Sequence, residues 1–330
     1  MKPVIEVRHL KKYFETSHGM LHAVDDVSFR IEKGHTMGVV GESGCGKSTL
    51  GRTIIHLLDS TDGQILLNGE DITNVKRKKL REIRERMQIV FQDPYSSLNP
   101  RMTIEETIRE PLLLSSRVKK NELNVEVRKL MSRVGIEERL MTAYPHELDG
   151  GRRQRVGIAR ALALNPDFIV CDEPVSALDV SIQAQVLNLL MDLQEQFGLT
   201  LMFVTHDLSV VRHISDDIGV MYLGQMVETS PSEELFVKPL HPYTKALLSA
   251  IPSIDIHHPS QRILLKGELT SPINPKPGCR FRSRCNYACE RCKQPQLLEE
   301  VLPGHFAACC QVRELNNLPE KPLEGKEPNA

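Results

Sequence analysis

The 330-residue sequence has no excess of charge of either sign, because 42 lysines and arginines stand against 43 aspartates and glutamates and leave a net charge of -1. A neutral chain has no overall positive field to attract nucleic acid, so we expect no nucleic-acid partner. No apolar run approaches the ~20 residues that a membrane-spanning helix requires. The N-terminus, MKPVIEVRHL, lacks the charged-then-apolar layout of a signal peptide. We therefore expect a cytosolic chain that reaches a membrane only through a partner.

Cysteine is scarce in the first 250 residues and concentrated in the remainder. Cys45 and Cys171 are the two early ones, whereas six others crowd between Cys279 and Cys310. In a cytosolic chain such a cluster more often binds metal than forms disulfides. Prolines also interrupt residues 251–278, so we place a domain boundary near residue 250.

Strand and helix patterns alternate over the first 250 residues. Alternation within residues 4–40 predicts strands, and helical spacing recurs across residues 103–143. FIVCDEP (168–174) is an unalternated apolar run that ends in two acids, as a buried parallel strand does, and TLMFVTHD (200–207) repeats that pattern. This order predicts an α/β fold with a three-layer core, followed by a small cysteine-rich extension over residues 251–330.

A glycine-rich loop, GESGCGKST, follows the third predicted strand and fits the pattern GxxxxGK[ST]. Glycines allow backbone N–H groups to turn inward around phosphates, and the following helix adds its positive end. Lys47 reaches the terminal phosphates, and Ser48 can ligate Mg²⁺. The predicted nucleotide-binding residues of this phosphate-binding loop are Gly41, Glu42, Ser43, Gly44, Cys45, Gly46, Lys47, Ser48 and Thr49.

Polar residues at the ends of predicted strands complete a possible hydrolytic site. Asp172 ends a buried strand, where its carboxylate holds Mg²⁺ through water, and Glu173 is the candidate base or orienter for the attacking water. Gln92 is placed to sense both Mg²⁺ and water, and His206 to contact the γ-phosphate. Asp179 follows in SALD. Each residue alone is more typical of a cap or a structural strand end, so the prediction depends on their order.

Together with LDGGR at 148–152, these blocks resemble the ATP-binding-cassette (ABC) ATPases over residues 4–250. The resemblance implies the ABC-type P-loop NTPase fold, with ATP and Mg²⁺ as cofactors and a helical subdomain at about 93–160. It implies that Phe14 stacks on the adenine, with Tyr13 as the alternative.

The same resemblance implies two subunits paired head to tail, so that each loop faces the LDGGR turn of the other subunit. Asp149, Gly150 and Gly151 would then contact the partner's ATP. The family motif is LSGGQ, whose serine donates a hydrogen bond to the γ-phosphate, and an ionised aspartate cannot donate. At ~4 Å from a phosphate charge, the repulsion is about 1 kcal/mol in water and about 4 kcal/mol at an effective dielectric near 20. We therefore expect an asymmetric heterodimer; the alternative is that Arg152 compensates Asp149.

Four further stretches resemble one branch, the oligopeptide/dipeptide importer ATPases: FQDPYSSLNPR, DEPVSALDVSIQAQVLNLL, HPYTKALLSAIP and GELTSPINPKPGCRFRSRC. The resemblance implies the second, F-type ATPase of a pair that hydrolyses ATP to import di- or oligopeptides. The pair would sit at the cytoplasmic face of the cell membrane, under two permeases fed by an extracytoplasmic peptide-binding protein. The alternatives are nickel or glutathione as substrate, a soluble ABC ATPase acting on nucleic acid or ribosomes, and an ATP-binding regulatory subunit.

The same branch carries its cysteines as a 4Fe–4S site, which implies the ligands Cys279, Cys285, Cys292 and Cys309. The spacing by itself leaves Zn²⁺ open, and CERC and CC leave the register open, with Cys289 and Cys310 as spare residues. The segment is also locally basic. We interpret its arginines, among them Arg280 and Arg284, as a solvated surface or as screening for an anionic cluster.

Overall fold

The computed structural model describes residues 2–115, 118–251, 262–267 and 271–319. Parts of the predicted extension, residues 252–261, 268–270 and 320–330, therefore lie outside the described residues, as do residues 116–117 of the predicted helical subdomain. The strands are β1 (Pro3–Thr16), β2 (Gly19–Glu32), β3 (Thr36–Val40), β4 (Asp62–Leu67), β5 (Glu70–Asp71), β6 (Met87–Val90), β7 (Phe168–Asp172), β8 (Thr200–Val204), β9 (Asp217–Tyr222), β10 (Gln225–Pro231), β11 (Glu299–Leu302) and β12 (His305–Ala307).

Helices lie mainly between these strands. The α-helices are α1 (Lys47–Ile54), α2 (Arg77–Arg86), α3 (Pro94–Ser97), α4 (Ile104–Ser115), α5 (Leu123–Arg133), α6 (Gly150–Leu162), α7 (Val180–Phe197), α8 (Leu208–Ile214), α9 (Ser232–Val237), α10 (Pro242–Ser249) and α11 (Val312–Leu315). Short 3-10 helices cover Glu138–Leu140, Pro145–Glu147 and Glu290–Lys293.

The strands form two sheets. The larger has the order β11-β12-β10-β9-β3-β8-β7-β6, and its members from β9 to β6 are parallel. The smaller is antiparallel, in the order β2-β1-β4-β5. Every residue of β3, β7 and β8 is buried, as expected for central parallel strands covered on both faces.

Neighbouring side chains of β3 belong to two different hydrophobic cores. Val39 packs in the core between the large sheet, α1 and the antiparallel sheet, together with Leu50 and Ile5. Val40 belongs to the second core, which the large sheet forms with helices α4 to α8. Because side chains alternate along a strand, the central sheet is covered on both faces, which gives the three layers predicted.

Helices α4 and α5 occupy the range predicted to be mostly helical. The predicted apolar face of α5 and its C-cap is buried at every position: Leu123, Val127, Leu130, Met131 and Val134. This face joins the second core with α6, so the helices before the LDGGR turn are packed onto the large sheet.

The C-terminal extension continues the large sheet across the predicted boundary. Strand β12 pairs with β10, with Thr229 opposite Phe306, and β11 pairs in turn with β12. Phe281 is buried in the second core beside Tyr222 and Tyr243.

Among the residues that the structure describes, no helix combines the length and the apolar character needed to cross a membrane.

Candidate active site and cysteine cluster

The predicted phosphate-binding loop connects β3 to the start of α1. Its fold depends on glycine at Gly46, where φ is 106° and a Cβ atom would lie 2.0 Å from the carbonyl oxygen of Ala23. The side chain of Lys47 is buried, and its Nζ donates to the carbonyl oxygens of Gly41 at 2.8 Å and Glu42 at 3.1 Å. The ammonium group is thus held inside the loop, where it offers its charge to an anion.

Asp172, at the end of β7, fits the predicted role in binding Mg²⁺. Its side chain is 1% exposed, and Oδ2 accepts two hydrogen bonds from Arg52, at 3.2 Å from Nε and 3.0 Å from Nη2. Oδ1 is buried and has no hydrogen-bond partner among the described residues. Ser48 lies one turn before Arg52, so both occupy one face of α1. A buried carboxylate oxygen without a partner and a serine hydroxyl are both oxygen donors of the kind that Mg²⁺ prefers, and their joint role in binding the ion remains a prediction.

Three predicted catalytic residues meet around one carboxylate. Gln92 Nε2 donates to Glu173 Oε2 at 2.9 Å, and His206 Nδ1 lies 3.5 Å from Glu173 Oε1. Glu173 has a φ of 49°, and its N–H donates to the carbonyl oxygen of Val204 at 3.0 Å, which ties the residue to the end of β8. Ser176, which donates to the carbonyl oxygen of Glu173, adds a second contact to Gln92. The group has the composition of a site that orients water near a phosphate.

The LDGGR turn opens α6, and Asp149 is its N-cap. Asp149 Oδ1 accepts from the N–H of Arg152 at 2.7 Å, and Oδ2 lies 3.4 Å from Arg152 Nη1. Gly151 packs closely, since a Cβ atom there would lie 2.5 Å from Ile182. The aspartate therefore stabilises the helix start and is partly neutralised, as the compensation alternative requires. Both side chains are about half exposed, so solvent weakens this pair.

Asp179 has the local role of a helix cap. It is the N-cap of α7, where Oδ1 accepts from the N–H of Ile182 at 3.0 Å and from the hydroxyl of Ser181 at 2.9 Å. The Ile182 N–H, as the largest cause, lowers the pKa of Asp179. Its predicted contact with nucleotide remains a prediction.

The two aromatic candidates for the adenine contact have different neighbours. Tyr13 donates its hydroxyl to Asp25 and stacks on His22 with ring centroids 4.0 Å apart. Phe14 carries the ammonium of Lys12 over its ring, 4.7 Å from the centroid. Both rings are thus engaged in this structure, and the predicted stacking of Phe14 on the adenine, with Tyr13 as the alternative, remains a prediction.

Three sulfurs of the extension come together, and only one belongs to the predicted ligand set. The Sγ atoms of Cys289, Cys292 and Cys310 are separated by 3.8, 4.0 and 3.7 Å. With a Zn–S distance of ~2.3 Å, tetrahedral geometry places sulfurs about 3.8 Å apart, so these thiols fit three corners of a thiolate site. A hydrogen bond from Gln311 is the main cause that lowers the pKa of Cys289 to about 7.

The other predicted ligands are half-buried thiols that lie near this trio. Cys279, Cys285 and Cys309 line the same small pocket as Cys292 and Cys310. Burial raises the pKa of Cys279 to about 12 and that of Cys309 to about 11, so without a metal they are protonated thiols. All six cysteines of the extension therefore belong to one cluster, and the choice of ligands within it remains a prediction.

The interpretation of the basic residues as a solvated surface or as screening for the cluster is wrong for Arg280 and Arg284. Their side chains are 6% and 10% exposed, and they pair with Asp25 and Glu42 of the ATPase core. The sequence shows only a run of arginines, because both acidic partners lie more than two hundred positions away in the chain.

The fold and this constellation define an ATP-binding-cassette ATPase, and comparison with known proteins agrees. The family model described as "ABC transporter" matches residues 24–176, and the one described as "Oligopeptide/dipeptide transporter, C-terminal region" matches residues 227–292. The dimeric post-hydrolysis structure of the ATP-binding cassette MJ0796 superposes with a TM-score of 0.64 at 29% identity, over 69% of this chain and 98% of that one. CbiO1 from Clostridium perfringens gives a TM-score of 0.65 at 28% identity, over 72% and 92%.

Curated relatives identify the branch. The oligopeptide transport ATP-binding protein AppF of Bacillus subtilis (strain 168) is 53% identical over 318 residues, which cover 93% of this chain and 96% of AppF. OppF of the same organism is 50% identical over 313 residues, covering 94% and 97%. The chain therefore belongs to the oligopeptide transport ATP-binding proteins of the ABC transporter family, which confirms the predicted family, the α/β fold class and the ATPase activity.

Proposed function

We propose that this chain binds and hydrolyses ATP to power peptide import through a membrane permease. The observation that carries the proposal is the contact of Gln92 and His206 with the Glu173 carboxylate. Glu173 directly follows Asp172, whose buried Oδ1 has no hydrogen-bond partner among the described residues. A chain that only bound ATP would need no residue to orient water. The relatives named above are oligopeptide transport proteins, and they support peptides over nickel or glutathione as the transported substrate.

Purification of the tagged chain from membranes, followed by an ATPase assay of the complex, tests this proposal. We expect two permeases and a second ATPase to co-purify, with hydrolysis stimulated by peptide-loaded binding protein. A chain that purifies alone and binds RNA would contradict the proposal. A complex whose hydrolysis is unchanged by Glu173→Gln would instead indicate a regulatory subunit.

We further propose that the ATPase pair is asymmetric. Asp149 places a carboxylate where the family's serine donates to the partner's γ-phosphate. In contrast, this chain's own Lys47 is held within the phosphate-binding loop, and its Glu173 and His206 are in contact. Hydrolysis would then occur mainly at the site built from this chain's loop and the partner's turn. The double change Asp149→Ser and Arg152→Gln should raise hydrolysis at the second site while a serine still caps α6.

The test of asymmetry inactivates the phosphate-binding loop of each subunit in turn. With the partner's loop lysine replaced by alanine, the parent complex should keep nearly all its ATPase rate, and the double change should add nothing. With this chain carrying Lys47→Ala, the parent complex should be almost inactive and the double change should restore hydrolysis. Equal loss from both lysine changes in the parent would show two equivalent sites and overturn the asymmetry.

We also propose that the cysteine cluster holds a metal centre, a 4Fe–4S cluster as the family resemblance implies or Zn²⁺ as the spacing of the trio allows. Adjacent cysteines provide a matched comparison. If the predicted register is right, Cys309→Ser lowers metal content and Cys310→Ser does not; the sulfur trio predicts the reverse. Iron and zinc analysis of anaerobically purified protein distinguishes the two metals, and metal-free parent protein would contradict both.

A further inference from the structure

An arginine of the cysteine-rich extension forms an ion pair with the predicted phosphate-binding loop. Arg284 donates from Nη1 to Glu42 Oε2 at 2.6 Å and from Nη2 to Glu42 Oε1 at 3.0 Å. A bidentate pair of this kind fixes the orientation of both groups as well as their separation. Glu42 is the second residue of the loop, so the extension holds the loop close to its start.

The backbone of Glu42 is held by a tyrosine that packs against the extension. Its N–H donates to the hydroxyl of Tyr243 at 3.0 Å, and the Tyr243 ring packs against Phe281 with centroids 5.3 Å apart. Phe281 comes from the extension and is buried. Both the peptide plane and the carboxylate of Glu42 therefore depend on residues outside the loop.

A second arginine supports the middle of the loop indirectly. Arg280 donates to the carbonyl oxygen of Leu223 and to the carboxylate of Asp25. Gly224, which follows Leu223, donates its N–H to the carbonyl oxygen of Cys45 at 2.7 Å. The carbonyl oxygen of Gly224 accepts from the N–H of Asp25 at 2.8 Å. Arg280 thus fastens the turn that is bonded to the loop at Cys45.

We propose that Arg280 and Arg284 are positioning residues of the nucleotide site, which hold the phosphate-binding loop from the cysteine-rich extension in the conformation that accepts ATP. Neither side chain needs to touch the nucleotide. The measured dissociation constant equals the intrinsic constant divided by the fraction of molecules with a competent loop. A loop that is competent only a tenth of the time therefore binds about tenfold more weakly. Nucleotide affinity accordingly depends on a folded extension.

The test is the equilibrium binding of a fluorescent ATP analogue to the full-length chain, which requires no hydrolysis. We expect Arg284→Ala to raise the dissociation constant about tenfold, and Arg284→Lys, which keeps the charge but loses the bidentate fork, to raise it less. Arg282→Ala is the matched control, because this arginine lies in the same turn and makes no ion pair among the described residues. Its dissociation constant should equal that of the parent.

A double-mutant cycle separates positioning from any direct contact of Glu42 with phosphate. If Arg284 acts through Glu42, adding Arg284→Ala to Glu42→Ala weakens binding no further; independent effects would multiply and overturn the inference. If Arg284→Ala does not fold, the affinities of Arg284→Lys and Glu42→Ala for the analogue are used instead. Affinity equal to that of the parent in both variants would overturn the inference.

The inference rests on the proposed nucleotide site, and the same data separate the two. If the parent and Arg282→Ala chains both fail to bind the analogue, the nucleotide site itself is wrong and the inference falls with it. If both bind tightly and the Arg284 and Glu42 variants bind equally well, only the inference is wrong.

Discussion

Stability should fall on acidification because of one histidine buried at the start of α10. His241 is 1% exposed, and it caps the helix by accepting the N–H of Tyr243 on Nδ1 at 3.1 Å. A nitrogen that accepts cannot carry a proton, so this contact requires the neutral ring. Burial lowers the pKa of His241 from 6.5 to about 4, against an opposing attraction from the Glu228 carboxylate.

The sign and size of the effect follow from that shift. Below the unfolded pKa of 6.5, the unfolded chain takes up a proton that the folded chain refuses, so the free energy of unfolding falls as the pH is lowered. The fall continues to the folded pKa of about 4 and then stops. At 1.36 kcal/mol per pKa unit, the full loss is about 3 kcal/mol, of which about 2 kcal/mol appears between about pH 7 and about pH 5.

Urea unfolding of the parent and of His241→Asn at these two pH values is the assay. Asparagine is a good N-cap and can accept the same N–H without titrating, so the variant keeps the cap and loses the pH dependence. We expect the parent to lose about 2 kcal/mol more than the variant. Equal losses in the two proteins would refute the assignment of a neutral, buried His241.

Three further changes test other parts of the structure. Glu173→Gln should lower the ATPase rate of the complex by at least about a hundredfold while ATP binding is retained, as measured by hydrolysis and by nucleotide titration; an active variant would contradict the role of this carboxylate. Glu228→Gln removes one of the two carboxylate oxygens that accept hydrogen bonds from the backbone N–H groups of Leu240 and His241. The free energy of unfolding, measured in urea, should fall by about 1–3 kcal/mol, and an unchanged value would show that the buried carboxylate is not needed for stability. Asp172→Asn should raise the Mg²⁺ concentration needed for half-maximal hydrolysis, and an unchanged requirement would place the metal elsewhere.

The parts of the fold that the sequence predicted are those determined by local pattern. The apolar runs of β7 and β8 and the buried face of α5 follow from periodicity, which depends on near neighbours. The end of helix α1 at Ile54 is not among these parts; it is followed by His56, which has a left-handed φ of 56°. Such a termination depends on local backbone conformation, which composition indicates poorly.

The contacts that the sequence did not predict join distant parts of the chain. Arg52 pairs with Asp172 and Arg284 pairs with Glu42, and no periodicity relates residues so far apart. The choice of ligand cysteines shows the same limit, because spacing alone does not decide between Cys309 and Cys310 as a metal ligand. Only packing brings the Cys310 sulfur to that of Cys292. Long-range polar pairing is decided by tertiary structure, so it became visible only with the fold.

The central claim, that ATP hydrolysis by this chain drives peptide import, is tested most directly by transport. The complex would be reconstituted in vesicles with labelled peptide and its binding protein on one side and ATP on the other. The account predicts peptide accumulation that requires ATP and is abolished when this chain carries Glu173→Gln. Peptide uptake that continues with Glu173→Gln, or ATP hydrolysis that moves no peptide, would contradict it.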